Sequence, residues 1–226
     1  MRHFYTDEEI VRFKSKLLKV TPTTEHSQQT GRILMIHSVC YVNNNPNLSG
    51  LVEILCEQGY QVDIASPRRK EIIQKSPHPN AHLILVDNKQ AKVAGELVLL
   101  AGKPLSTVQE IAAAVGAIEP YDFIFGVDRA IIEASIIAHT RNIPYGLISY
   151  EIFFAEEAGA DYKEPEITAC RDIAFAVCQD PVRGGCLSRE NRIPLDKMIY
   201  IPVAGRGVIP RQKSSALHQK LGIDPA

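Results

Sequence analysis

Three pairs of polar residues stand at the ends of apolar runs in this sequence, and they are the residues best placed to do chemistry: His37 with Ser38, Asp128 with Arg129, and Tyr150 with Glu151. A histidine can move a proton near neutral pH or hold a hydroxyl. Asp128 and Glu151 are carboxylates in equivalent positions, and Glu151, between an apolar run and Phe153-Phe154, has the partly apolar surroundings that suit a proton carrier. His37, Asp128 and Glu151 are therefore the candidate catalytic groups. Asn43-Asn44-Asn45, just beyond the first pair, add amide donors and acceptors. With Ser38, Arg129 and Tyr150 they would suit a ligand rich in hydroxyls, which need both. Each of the three has a plainer use as well. His37 can bond a neighbouring carbonyl, Asp128 can cap a helix beginning near Ala130, and Glu151 can be a solvated loop residue.

What would bring these pairs together is the element order. Tyr121 to Glu151 holds an apolar run at Phe123-Ile124-Phe125, a break at Gly126-Val127-Asp128, apolar residues at helical spacing through Ile132 and Ile136, a stop at Asn142, and a second apolar run from Tyr145 to Ile148. Strand, helix and strand in so few residues join parallel neighbours of a buried sheet. Further strands are expected at Arg32–Ile36, Gln61–Ala65, His82–Val86, Ala176–Cys178 and Met198–Pro202. Helices are expected at Thr6–Lys19, from a cap at Asn47 or Ser49 to Gln58, at 91–101, 106–115 and 164–175, and at Pro181–Asn191, where Asp180 is the natural cap. Such alternation predicts an α/β domain: a doubly wound, mostly parallel sheet of six to seven strands with helices on both faces. In that architecture ligands lie beyond the carboxyl ends of the strands, where all three polar pairs fall. His139 beside Arg141 suits a helix C-terminus. Gly184-Gly185, costly inside a helix, suggests a close approach by a ligand or partner.

The 226 residues are enough for a substantial core, with roughly 70% of the unfolded surface buried. A net charge of -1 gives no general attraction for nucleic acid or an acidic membrane. Five widely spaced cysteines without a C-x-x-C pair argue against a disulfide framework or a zinc ribbon, so no metal is expected and a cytoplasmic setting fits best. No apolar run is long enough to cross a membrane. The cations Lys14, Lys16 and Lys19 suit the C-terminal end of a packed helix, with peripheral membrane contact as the alternative. No G-x-G-x-x-G follows the first strand, and neither G-x-x-x-x-G-K-[ST] nor G-x-S-x-G is present. Ordinary dinucleotide binding, P-loop chemistry and an α/β-hydrolase elbow are disfavoured accordingly.

The order of segments RILMIHS, EQGYQVDIAS, YDFIFGVD and NIPYGLIS, then ACRDIAFAVCQDPVRGGCLSRENRIPLDKMIYIPVAGRG, resembles the N-terminal domain of a GT-B glycosyltransferase of the family 4-like, glycogen-synthase-related kind. The last segment is the most specific, and in that family it leads through a hinge into a second domain. Asn43-Asn44-Asn45-Pro46 stands where the family has a glycine pair, Tyr150 or Glu151 where it has a histidine, and Ala204-Gly205 where it has a hinge asparagine-glycine.

The resemblance implies three parts: an N-terminal helix and linker at 1–30, a Rossmann-like acceptor-side domain at 31–205, and a hinge at 206–226 opening a further domain, with Arg206 at the hinge. It implies a hexosyltransferase type of enzyme that takes a nucleotide-sugar as co-substrate, without a separate cofactor, and a carbohydrate or small-molecule acceptor. The nucleotide is held mostly by the second domain, so this length of chain alone would lack transfer. The alternatives are a non-catalytic sugar- or nucleotide-binding domain of the same fold and, less favoured, a sugar-nucleotide epimerase.

Overall fold

A computed structural model of the chain describes residues 30–37, 42, 45–68, 74–86 and 121–202. Ser38, Asn43, Asn44 and Arg206 lie outside these residues, as do the helices expected at Thr6–Lys19, 91–101 and 106–115. The described part is a seven-stranded sheet in the order β3-β2-β1-β4-β5-β6-β7. Every neighbouring pair is parallel. The strands are β1 (Gly31–His37), β2 (Tyr60–Pro67), β3 (Ala81–Val86), β4 (Phe123–Val127), β5 (Tyr145–Ile148), β6 (Ala176–Cys178) and β7 (Met198–Tyr200). The helices are α1 (Pro46–Glu57), α2 (Ile131–Arg141), α3 (Ala155–Ala158), α4 (Ala160–Ala169) and α5 (Pro181–Asn191).

Alternation along β1 explains the layers. Ile33 and Met35 face one side and pack with Val62, Ile64, Phe123, Phe125 and the α1 residues Leu48, Val52 and Leu55. Leu34 and Ile36 face the other and pack with Ile124, Leu147, Ile131, Ile137, Ala138 and Leu187, which brings in α2 and α5. Each face of a central parallel strand is thus buried under helices, as its continuous apolar run requires. The winding reverses between β1 and β4, paired from Ile33 with Phe123 to His37 with Val127. That reversal is the topological switch at which open sheets of this kind form a crevice.

Gly126 makes the tight exit from β4 possible. A Cβ there would lie 2.3 Å from Ile131 Cα and 2.4 Å from Ile131 N, so only glycine lets α2 close on the strand.

Three local expectations are corrected. α1 is capped by Asn45, whose side chain accepts the Leu48 N–H, with Pro46 at its first turn; Asn47 and Ser49 lie inside the helix. Asp128 caps nothing, because a 3₁₀ turn at Asp128–Ala130 leads into α2 and neither has a side-chain cap. The helix expected at 164–175 starts earlier, after Gly159 at φ 89, holds Pro165 inside it, and stops at Ala169, and Ile173, Ala174 and Phe175 beyond it are buried in the core.

Candidate functional site

A cleft of about 660 Å³ opens beyond the carboxyl ends of the strands. Asn45, Pro46 and Asn47, the cap and first residues of α1, form one wall; Tyr150 and Glu151 after β5 and Gln179, Asp180 and Arg183 after β6 form the other, with Pro202 beyond β7. These positions come together because parallel strands deliver their C-terminal loops to one edge.

The wall after β5 is held from two directions. Asp128 Oδ1 accepts the backbone N–H of Tyr150 at 2.7 Å and of Glu151 at 2.8 Å. From the α5 side, Arg183 Nη2 donates to the Tyr150 carbonyl at 2.6 Å. Asp128 pays for this with a left-handed backbone, φ 51, in the turn just after Gly126. Burial pushes its carboxyl up to about 7, aided by the nearby Glu151 and Glu166 carboxylates and opposed by the two N–H donors. Burial, and then the Asp128 charge, push the Tyr150 phenol upward, so it stays a neutral donor. Ser149 Oγ donates to the Glu151 carbonyl at 3.0 Å, and the Glu151 side chain itself is exposed.

On the far side, Asp180 Oδ1 accepts the N–H groups of Val182 and Arg183 at 2.8 and 2.9 Å and so caps α5 as its sequence suggests. Three enclosed polar atoms of cleft residues, Asn47 Oδ1, Gln179 Oε1 and Arg183 Nε, find no partner among the described residues. The amides of Asn45, Asn47 and Gln179 and the Arg183 guanidinium belong to residues that line one crevice, and groups of this kind suit a hydroxyl-bearing ligand.

Of the expected site residues, Asn45, Tyr150 and Glu151 reach this cleft. Asp128 stands behind it, holding the wall. His37 is buried, 3% exposed, at the end of β1 in register with Val127, and does not line the cleft. Arg129 is also turned away. It is 1% exposed, its Cζ lies 3.4 Å from the centroid of the Tyr162 ring, and Nη1 donates to the Tyr162 carbonyl at 2.6 Å. The 3₁₀ turn at Asp128–Ala130 carries this side chain under Tyr162 instead of toward the crevice. Glu151 lacks the apolar enclosure expected of it, and the enclosed carboxylate is Asp128.

Asn47, Gln179, Asp180 and Arg183 were not foreseen as site residues. Asp180-Pro181 already marks a helix start directly after a strand, and first-turn side chains of such a helix lie on the sheet's carboxyl edge, so Arg183 was within reach of the same rule that found the other pairs. The close approach suggested by Gly184 belongs to the chain itself: a Cβ there would lie 2.6 Å from Cε1 of the Tyr200 ring, while Gly185 faces open space. His139 sits as expected at the end of α2, Nδ1 on the Ser135 carbonyl and Nε2 3.6 Å from Asp172.

Among the described residues no group of three or more His, Cys, Asp or Glu side chains is arranged to hold a metal ion. In the same residues no helix is long and apolar enough to cross a membrane.

No known protein family matches the sequence. No curated protein matches it either. Solved structures do match its fold. A sucrose-phosphate synthase from Thermosynechococcus elongatus is similar at TM-score 0.60 and 12% identity, over 86% of this chain and 53% of that one. A shorter form of that enzyme gives TM-score 0.52 and 14% identity, over 76% of this chain and 89% of that one. HepE of Anabaena in complex with UDP gives TM-score 0.57 and 11% identity, over 84% of this chain and 50% of that one. The chain therefore has the Rossmann-like sheet of GT-B structures and spans about half the length of the longer ones.

Proposed function

We propose that this chain is the acceptor-side half of a nucleotide-sugar-dependent glycosyltransferase, of the family 4-like kind that its segment order resembles. Residues 31–205 would form one wall of a two-domain crevice, and 206–226 with Arg206 would lead to the other. The observation that carries the reading is the cleft at the carboxyl edge, lined by Asn45, Asn47, Gln179 and Arg183 in a fold shared with glycosyltransferases. Structures of HepE with UDP and with UDP and glucose support the nucleotide-sugar part of the reading.

In this reading Glu151 and Tyr150 meet the acceptor, Asn45, Asn47 and Gln179 bond its hydroxyls, and Asp128 fixes the wall. Ser38, Asn43 and Asn44 are proposed to extend the same surface. A carboxylate at the reacting hydroxyl would take its proton as transfer proceeds through an oxocarbenium-like state.

Placement of His37 and Arg129 away from the cleft favours a second reading, a domain that binds carbohydrate without transferring it. Nuclear magnetic resonance titration with mono- and disaccharides tests the shared part: shifts should centre on Tyr150, Glu151 and Gln179. Nucleoside diphosphate release from a panel of nucleotide-sugars then separates the two. Saccharide binding without release supports the binding domain, and no perturbation of these amides sinks both.

A further inference from the structure

Most helices of this domain dock through apolar side chains; α2, for example, buries Ile131, Ile132, Ala134, Ile137 and Ala138. The segment α3–α4 is built differently. α3 buries no residue, and of the four residues α4 buries, Lys163 and Glu166 are charged. Lys163 Nζ lies 3.1 Å from Glu166 Oε2, both side chains being almost fully enclosed. Glu166 Oε1 accepts from Asn191 Nδ2 of α5 at 2.7 Å. Beneath them sits the Arg129 guanidinium against Tyr162, with Glu133 buried on α2 beside it.

This interface is incompletely paired. Arg129 Nε and Nη2, Glu133 Oε2 and Asn191 Oδ1 have no hydrogen-bond partner among the described residues. Enclosed polar atoms left so are a standing cost of the docked arrangement, and a buried ion pair returns little against the water it displaces. The backbone of the segment is also interrupted at two points. Gly159 joins α3 to α4 at φ 89 with open space around it, and Pro165 removes one N–H from the middle of a ten-residue helix.

One turn ties this segment to the cleft. Asp128 holds the Tyr150 and Glu151 amides, while the next residue, Arg129, holds the Tyr162 carbonyl. Phe153, between the two, packs edge-on against the Tyr162 ring with centroids 6.0 Å apart.

We propose that Ala155–Ala169 is a strap that lifts from α2 and α5 as a unit, short of global unfolding, and that the Tyr150–Glu151 wall of the cleft loosens with it. The strap gives the cleft a second shape, whatever ligand the cleft takes. Segments with few buried apolar contacts open locally in this way.

Amide hydrogen exchange on the full chain tests this. The α4 amides should exchange about tenfold or more faster than those of α2, and the Tyr150 and Glu151 amides should share the α4 rate. Lys163→Met strands Glu166 and should raise the open population by on the order of a hundredfold, whereas Lys163→Met with Glu166→Leu, an apolar pair, should return it to the wild-type level or below. The proposal is overturned if α4 exchanges only with global unfolding, or if Tyr150 and Glu151 keep the protection of β4. It is also overturned if the double replacement opens the strap as far as the single one. The wild-type comparison decides the matter alone should Lys163→Met fail to fold. None of these readouts depends on sugar binding or transfer, so they stand or fall apart from the functional reading.

Discussion

Asp128 Oδ1 accepts the N–H of Tyr150 at 2.7 Å across the gap between β4 and β5, and the N–H of Glu151 at 2.8 Å with the same oxygen. The relationship turns a residue that sequence pattern assigns to helix capping into the brace of a cleft wall. It also fixes what its removal must do. Asp128→Ala leaves two backbone donors without their acceptor, at a cost of roughly 2–4 kcal/mol. Asp128→Asn keeps an oxygen in place and should lose less than half as much. Thermal unfolding of the two variants measures the difference, and equal losses would show that the acceptor is not what matters.

The same carboxyl should make stability depend on pH. Its folded value of about 7 lies above its ordinary 3.8, and that of Glu133, raised chiefly by burial, is about 7 against 4.5. The folded chain therefore holds these two protons more tightly than the unfolded chain does. Their stabilising contribution is whole below about pH 4 and is lost as pH rises through about 7, a few kcal/mol at most for each group. Asp128→Asn and Glu133→Gln should each flatten the fall in stability between pH 5 and about 8, read from denaturant midpoints. A variant whose pH profile parallels that of the wild type would exclude its group from this account.

Two glycines, one in β4 and one inside α5, should answer oppositely to alanine. At Gly126 the new Cβ would stand 2.3 Å from backbone of α2, so the helix itself must shift, and a loss of about 3 kcal/mol is expected. At Gly185 nothing lies within 4 Å, so helix propensity alone acts and a gain of about 0.5–1 kcal/mol is expected. Differential scanning of the two variants checks both signs in one experiment.

The doubly wound fold was legible because each of its seven strands has an apolar run and each break a turn or cap residue, and parallel pairing follows from the spacing. Tyr150 and Glu151 were legible for the same reason, standing just beyond β5, and Asn45 as part of the amide run ahead of α1. What pattern reading missed is set by side-chain direction: Arg129 lies next to Asp128 in sequence yet points under Tyr162. Arg183 was passed over because its neighbours read as a helix start and a glycine pair, and only the sheet order shows that α5 begins at the crevice. The charged underside of α4 leaves no stripe to recognise at all, since Lys163 and Glu166 look like ordinary surface residues until their burial is known.

Arg183 carries a prediction of its own. Its Nη2 clamps the Tyr150 carbonyl at 2.6 Å, and the residue also lines the cleft. Arg183→Met removes both, and losing a charge-assisted bond of this kind should cost about 1.5–3 kcal/mol of stability. On the proposed function, saccharide affinity should fall by about tenfold or more as well, since each 1.4 kcal/mol is a factor of ten. Arg183→Lys supplies one point donor where the guanidinium offers a fork, so it should recover charge without recovering both effects. Titration calorimetry alongside thermal unfolding separates the two readouts.

Asn45 allows capping and ligand contact to be separated within one side chain. Its Oδ1 accepts the Leu48 N–H at 3.1 Å and caps α1, while the residue lines the cleft, where Nδ2 is the part the cap does not use. Asn45→Ala should cost about 1 kcal/mol through the lost cap. Asn45→Asp retains the accepting oxygen and adds a negative charge at a helix N-terminus, so stability should be kept or slightly raised. It also deletes the amide donors. If those donors meet acceptor hydroxyls, Asn45→Asp should bind saccharides severalfold more weakly than the wild type while unfolding at the same or a higher temperature. Unchanged affinity in that stable variant would confine Asn45 to the cap and move the ligand-binding edge of the cleft toward Asn47.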